Sequence, residues 1–219
     1  MRASLDTNAI IHFYRAGLQN ILFDFFDEGV FIYEQIRRIE LSNHGIDILD
    51  KVDMDIEKRK IEIYSDDKLK ELKIYKIFEH HFNENRMLYG SGDLGEVYAI
   101  SLAQTLGAYS LVTDDIKQGG PYMSLLQFKD EIMPFTFADV LILRYLTGMV
   151  DAEQTVKDFN LINDTSQLKW SFKSQIIKFI KRFLKEPYRS EDREWIERLV
   201  IDQEISIKEK MLLLNKCID

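Results

Sequence analysis

Apolar residues along this chain follow two rhythms, short unbroken or alternating runs and longer stretches spaced three or four apart. The first kind, bounded by polar or turn residues, predicts strands; the second predicts amphipathic helices. "RASL" at residues 2–5 reads as a short strand. The helical patterns "TNAIIHFYRAG" and "QNILFDFFDE" follow, with Gly17 between them as a stop. "VFIYE" is a second strand and runs into a helix, "QIRRIELSNHG", that ends at Gly45. Residues 46–60 read as an exposed helix and "KIEIYS" as a third strand. The stretch from Asp66 to Phe82 reads as one long helix.

"GSGDLGEVYAISLAQTLG" opens as a loop and becomes a helix whose Val97, Ile100, Ala103 and Leu106 share one stripe, closed by Gly107. "AYSLVTDD" is a buried strand ending in two acids. A loop, "IKQGGPY", and a short helix lead to a last strand, "IMPFTF", and the helix "ADVLILRYLTG". Strands that alternate with helices predict an α/β fold, here a parallel, Rossmann-like sheet flanked by helices. Residues 150–219 hold no strand pattern and predict three or four helices, with Ser206 and Glu209 as a capping box on the last. The expected organisation is a domain over 1–149, with a helical insertion around 46–85, and an α-helical C-terminal extension over 150–219.

A hydrophobic content of 46% and 30% charged residues supply a globular core of ordinary kind. No apolar run approaches the roughly 20 residues that cross a bilayer. Asp6 interrupts the N-terminus before a signal-type segment forms. A cytoplasmic protein without membrane association is expected. The single cysteine, Cys217, leaves no internal disulfide. The net charge of −8 argues against a simple nucleic-acid-coating protein but not against a nuclease, whose metal site gathers carboxylates. Basic residues are segregated, seven against Glu186 alone between 169 and 189. The helix "SFKSQIIKFIKRFLK" therefore has two readings, an RNA-binding surface or a solvated face on a packed helix.

In an open parallel sheet, function collects at the carboxyl ends of the strands, where strand order reverses. Asp6 follows the first strand, and Asp114 and Asp115 follow "SLVT". Asp93 and Glu96 stand at the start of a helix. Glu40 lies in the helix after strand two, with Glu34 at that strand's end as its competitor. Each acid has an ordinary reading: Asp6 as a helix cap, Asp93 and Glu96 as a capping box, Asp114 and Asp115 as turn chemistry, Glu40 as a partner of Arg37. Their shared edge points further. Carboxylates brought together raise one another's pKa, so keeping them ionised needs a cation, and hard oxygen ligands favour Mg²⁺ or Mn²⁺. Because such a site repels phosphate, cations are expected at its rim, with Lys117, Arg37 and Arg38 as candidates.

"SLDTNAII", the acid after strand two and "GDLGEVYAISLAQTLGAYSLVTDD" resemble the PIN-domain nucleases, over roughly residues 2–150 and most sharply at 4–11 and 91–115. The resemblance implies a metal-dependent endoribonuclease in which Asp6, Glu40, Asp93 and Asp115 are catalytic, with Asp6, Asp93 and Asp115 holding Mg²⁺ or Mn²⁺. Thr7 and Asn8 would support Asp6, and Thr113 supplies the threonine of the family's T-x-D loop. Glu96 fits a D-x-G-E variant, and Asp114 is a neighbour able to replace Asp115. The substrate implied is RNA, with single-stranded DNA as the alternative. Toxin-type members imply an antitoxin or another regulatory protein as partner, and members that dimerise imply a homodimer. Those toxins are shorter; the segment between 46 and 85 and the tail after 150 are departures.

Two enzyme rivals fit less well. A haloacid-dehalogenase type wants a second Asp where Asn8 stands, and a dinucleotide-binding enzyme wants a Gly-rich turn that "LDTNA" lacks. The rival of another class is a PIN-like module that binds RNA or protein without cutting. The adjacent His80 and His81 lack a third ligand for zinc and read as surface residues.

Overall fold

Five short apolar runs form one sheet in the computed structural model, which describes residues 1–89, 94–114, 132–185, 190–199 and 206–218. They are β1 (Ala3–Leu5), β2 (Val30–Tyr33), β3 (Ile61–Tyr64), β4 (Ser110–Val112) and β5 (Met133–Phe135). The order is β3-β2-β1-β4-β5, and every pair is parallel. β1, β2 and β4 are buried along their whole length, as unalternating apolar runs require when helices cover both faces. β3, at an edge, leaves Glu62 and Ile63 half-buried. The chain steps outward from β1 to β3 and then returns to the other side of β1. The topological switch therefore lies between β1 and β4, where Leu5 stands abreast of Val112.

In the first compact unit, Met1–Thr136, α1 (Thr7–Arg15) and α2 (Asn20–Phe25) connect β1 to β2. A π-helical segment, Ile36–Leu41, follows β2 and passes into the short α3 (Ser42–His44) and then α4 (Leu49–Glu57). The single helix predicted from Asp66 to Phe82 is two, α5 (Asp66–Glu71) and α6 (Tyr75–Tyr89). Lys73 turns left-handed at φ +60 and breaks the run, and the Ile74 N–H closes onto the Leu69 carbonyl at 2.9 Å. α7 (Leu94–Leu106) packs on β1, β2, β4 and the π-helical segment. It is buried well beyond the predicted stripe, as an element apolar nearly all round must be. Ser4 Oγ donates to the Ala99 carbonyl at 2.8 Å and ties α7 to the central strand. The loop and short helix expected within 115–131 lie outside the described residues.

The second unit, Phe137–Asp219, holds helices and no strand among its described residues. α8 (Phe137–Leu146) is buried along its length, and four helices follow residue 150: α9 (Ala152–Thr165), α10 (Phe172–Ile180), α11 (Ser190–Leu199) and α12 (Ile207–Lys216). A π-helical turn, Lys181–Lys185, extends α10. Phe137 stacks on Phe159 and Trp170. The buried Arg182 pairs with Asp139 at 3.2 Å, and Ser206 and Glu209 form the expected capping box. No helix among the described residues is long and apolar enough to cross a membrane.

Candidate active site at the carboxyl edge of the sheet

β1 ends at Leu5, and the backbone N–H of Asp6 makes one more sheet-like bond, to the Val112 carbonyl at 2.9 Å. Asp6 is extended (φ −83°, ψ 158°) and stands at the N-cap position of α1, yet its carboxylate makes no capping bond to that helix. It accepts instead from Thr113 Oγ1 at 3.1 Å, across the switch point. Thr113 is itself held by its N–H on the Phe135 carbonyl at 2.9 Å. Both side chains are buried, with Asp6 only 3% exposed. A carboxylate so enclosed loses most of its hydration and needs compensation from bonds or a counter-charge.

Gly95, in the first turn of α7, draws the other elements together. A Cβ there would lie 3.2 Å from Thr7 Oγ1, 3.4 Å from Glu40 Cγ and 3.6 Å from Asp6 Oδ1. The start of α1, the π-helical segment and α7 thus converge on one point. Thr7 Oγ1 is buried there without a hydrogen-bond partner among the described residues, an uncommon state for an enclosed hydroxyl. Glu40 is half-buried, and the next residue of α7 after Gly95, Glu96, is buried. Glu34 points elsewhere: it accepts from the Asp66 N–H at 3.3 Å and lies 3.4 Å from Arg38. Of the two acids left open in the sequence, Glu40 is the one that approaches Gly95 together with Asp6.

The remaining described candidates have other partners or stand exposed. Asp114 Oδ2 is 2.7 Å from His12 Nδ1 in a buried pair, so the acid considered as a stand-in for Asp115 already has a partner. His12 was not among the sequence candidates; its signal was a lone imidazole on the most apolar stretch of α1. Asn8 is exposed one residue from Thr7. Arg37 forks onto Asp53 at 2.8 and 2.5 Å, which commits its guanidinium to α4, whereas Arg38 is exposed. Asp93, Asp115 and Lys117 lie outside the described residues. Among the described residues, no three His, Cys, Asp or Glu side chains gather closely enough to hold a metal.

Tyr98, on α7, is a further neighbour that the sequence did not single out. It stacks on Tyr33 and Phe82, each at 4.8 Å between ring centres. Burial first, then the charges of Asp66 and Glu40, push its phenol pKa up, against an opposing effect of Arg86. In the second unit, α10 buries Phe172, Ile176 and Phe179, while Lys173 and Lys178 stay exposed. Arg182, counted in the basic stretch, is instead buried on Asp139.

The fold is a parallel α/β one, with Asp6 buried at its topological switch and Glu40 approaching the same glycine. Compared with protein-family models, curated proteins and solved structures, the chain matches none.

Proposed function

We propose that this chain is a divalent-metal-dependent endoribonuclease of the PIN type, hydrolysing RNA phosphodiester bonds at the carboxyl edge of its sheet. One observation carries the reading: Asp6, Glu40 and Thr7 meet around Gly95 at the switch point. A carboxylate that served only as a cap would bond to the N–H groups of α1, and that of Asp6 does not. The donors there are hard oxygens, two carboxylates and an enclosed hydroxyl, which suit Mg²⁺ or Mn²⁺. On the family pattern Asp6, Asp93 and Asp115 would hold the ion, which when bound would supply charge neutralisation at phosphorus and activation of water.

The chain's own groups have separable tasks. Thr113 orients Asp6 through its hydroxyl. Gly95 lets α7 approach so that Glu40 shares the crevice, where its carboxylate can aim the attacking water and accept its proton. Exposed Arg38, with Lys117 on the sequence pattern, supplies positive charge for the phosphate backbone.

The test is cleavage of labelled RNAs and single-stranded DNA by the purified protein in EDTA, Mg²⁺ or Mn²⁺. Cutting of RNA that needs the metal and falls at least a hundredfold in folded Asp6→Asn is the expected result. RNA bound but uncut by the wild type in every metal would overturn the nuclease reading and leave a binding module.

A further inference from the structure

The first unit has a second concave feature, at the other end of its sheet. Where β1, β2 and β3 begin, a cavity of about 520 Å³ opens beside the edge strand β3. Its lining is apolar at Val30, Ile56, Ile61 and Ile63 and cationic at Arg2, Arg59, Lys60 and Lys68. Glu28 and Glu62 line it too, and both are engaged. The N-terminal ammonium lies 3.3 Å from Glu28, while Arg2 (2.5 Å) and Lys68 (2.8 Å) converge on Glu62. Two cations on one carboxylate leave a positive excess. Lys60 reaches Asn20 Oδ1 at 3.2 Å and stands 3.7 Å from Asp55. Arg59 is exposed at the mouth. The lining thus carries four cations against two carboxylates, on a chain whose net charge is −8.

We propose that this cavity binds the phosphate group of a nucleotide-sized ligand, with the phosphate against the Arg and Lys side chains and the organic body on the apolar lining. Its volume lies in the range of small-molecule sites, and guanidinium groups match phosphate oxygens in geometry and charge. The other natural occupant of an edge strand is an added peptide strand. Lys68 opposes it, because its ammonium donates to the Ile63 carbonyl at 3.3 Å and so blunts the edge. A phosphate monoester can come from a free nucleotide or from the end of an RNA chain. Neither source requires the carboxylate edge, which lies at the opposite ends of the same strands.

Arg59 also supplies a clean variant. It closes α4 in the left-handed conformation, φ +58°, with its N–H on the Ile56 carbonyl at 2.9 Å, a position glycine fills with less strain. Arg59→Gly therefore removes a lining cation while keeping or raising the melting temperature. The experiment is calorimetric titration of the full chain in metal-free, low-salt buffer. The probes are adenosine 5′-monophosphate, adenosine, inorganic phosphate, and a short oligoribonucleotide with or without a 5′ phosphate.

At least one of the 5′-phosphorylated probes should bind at least tenfold more tightly than its unphosphorylated counterpart. The Arg59→Gly, Lys60→Gln double variant should weaken that binding tenfold or more, and Asp6→Asn should leave it unchanged. Binding of the mononucleotide alone assigns a free nucleotide; binding of the phosphorylated RNA alone assigns an RNA end. Equal binding with and without phosphate, indifference to the double variant, or binding of none of the phosphorylated probes would overturn the proposal.

Discussion

At Gly95 a hydrogen stands where any other residue would bring a carbon to 3.2 Å from Thr7 Oγ1 and 3.4 Å from Glu40 Cγ. The approach to Thr7 is the tight one, so the Thr7 hydroxyl is the group that must shift, whereas that to Glu40 Cγ is an ordinary van der Waals contact. Alanine gains about 1 kcal/mol of helix propensity over glycine, and crowding of this kind costs about as much. Gly95→Ala should thus change unfolding stability by less than about 1 kcal/mol in a urea titration, because the two effects oppose. It should nevertheless displace the Thr7 hydroxyl beside Asp6 and lower metal-dependent cleavage at least tenfold. A folded Gly95→Ala protein that cuts RNA at the wild-type rate would separate the Thr7 hydroxyl from the chemistry. Residue-level reading of the sequence reached Asp6, Thr113 and Glu40 because strand ends and motif spacing mark them. It missed the parts that depend on approach between distant segments: the orphaned hydroxyl of Thr7, the closeness required of Gly95 and the pairing of His12 with Asp114.

Helix ends divide by whether glycine marks them. Gly17, Gly107 and Gly148 all adopt positive φ, where their helices stop, and the sequence pattern stops there too. Arg59, Lys73 and Gln167 make the same closure at φ +58°, +60° and +53°. At Lys73 the backbone bonds are those of a glycine-type terminus, Lys73 N–H to Lys70 and Ile74 N–H to Leu69. Lysine is an ordinary helix former, so nothing in its chemistry announces the break, and the helix predicted across 66–82 runs straight over it. The π-helical segment Ile36–Leu41 is equally silent, since one wider turn changes no residue type. The sheet was more legible. Its strands are apolar runs with polar or glycine boundaries, and their alternation with helices dictated parallel pairing before any contact was known.

The Lys73 closure yields a test at the same scale. A side chain in the left-handed region costs roughly 1 kcal/mol, a cost glycine avoids. Lys73→Gly should accordingly raise the stability of the α5–α6 corner by about 0.5–1 kcal/mol in urea unfolding, glycine's greater unfolded-state entropy taking back part of the gain. Destabilisation by that variant would mean that the lysine side chain holds the corner by contacts of its own.

At the scale of the molecule, two tyrosines bind elements of the first unit through carboxylates. Tyr14 of α1 donates to Asp55 of α4 at 2.8 Å, and Tyr33 of β2 donates to Asp66 at the head of α5. Burial first, and then the adjacent carboxylate, push both phenols far above their ordinary value, which is about 10. The folded state therefore holds these two protons more tightly than the unfolded chain does. That stabilisation is fully present below about pH 10, and it is lost as pH rises from there toward the folded-state values. Lysines lose their charge over the same range, and a chain already at −8 becomes more acidic still, so wild-type stability should fall steeply for both reasons. A Tyr14→Phe, Tyr33→Phe variant separates them. Near neutral pH it should lose about 1–2 kcal/mol for each carboxylate deprived of its donor. Above pH 10 its stability should decline less steeply than the wild type's, in urea titrations repeated at successive pH values. An equal slope in the two proteins would assign the alkaline loss to lysine titration and remove both phenols from the balance.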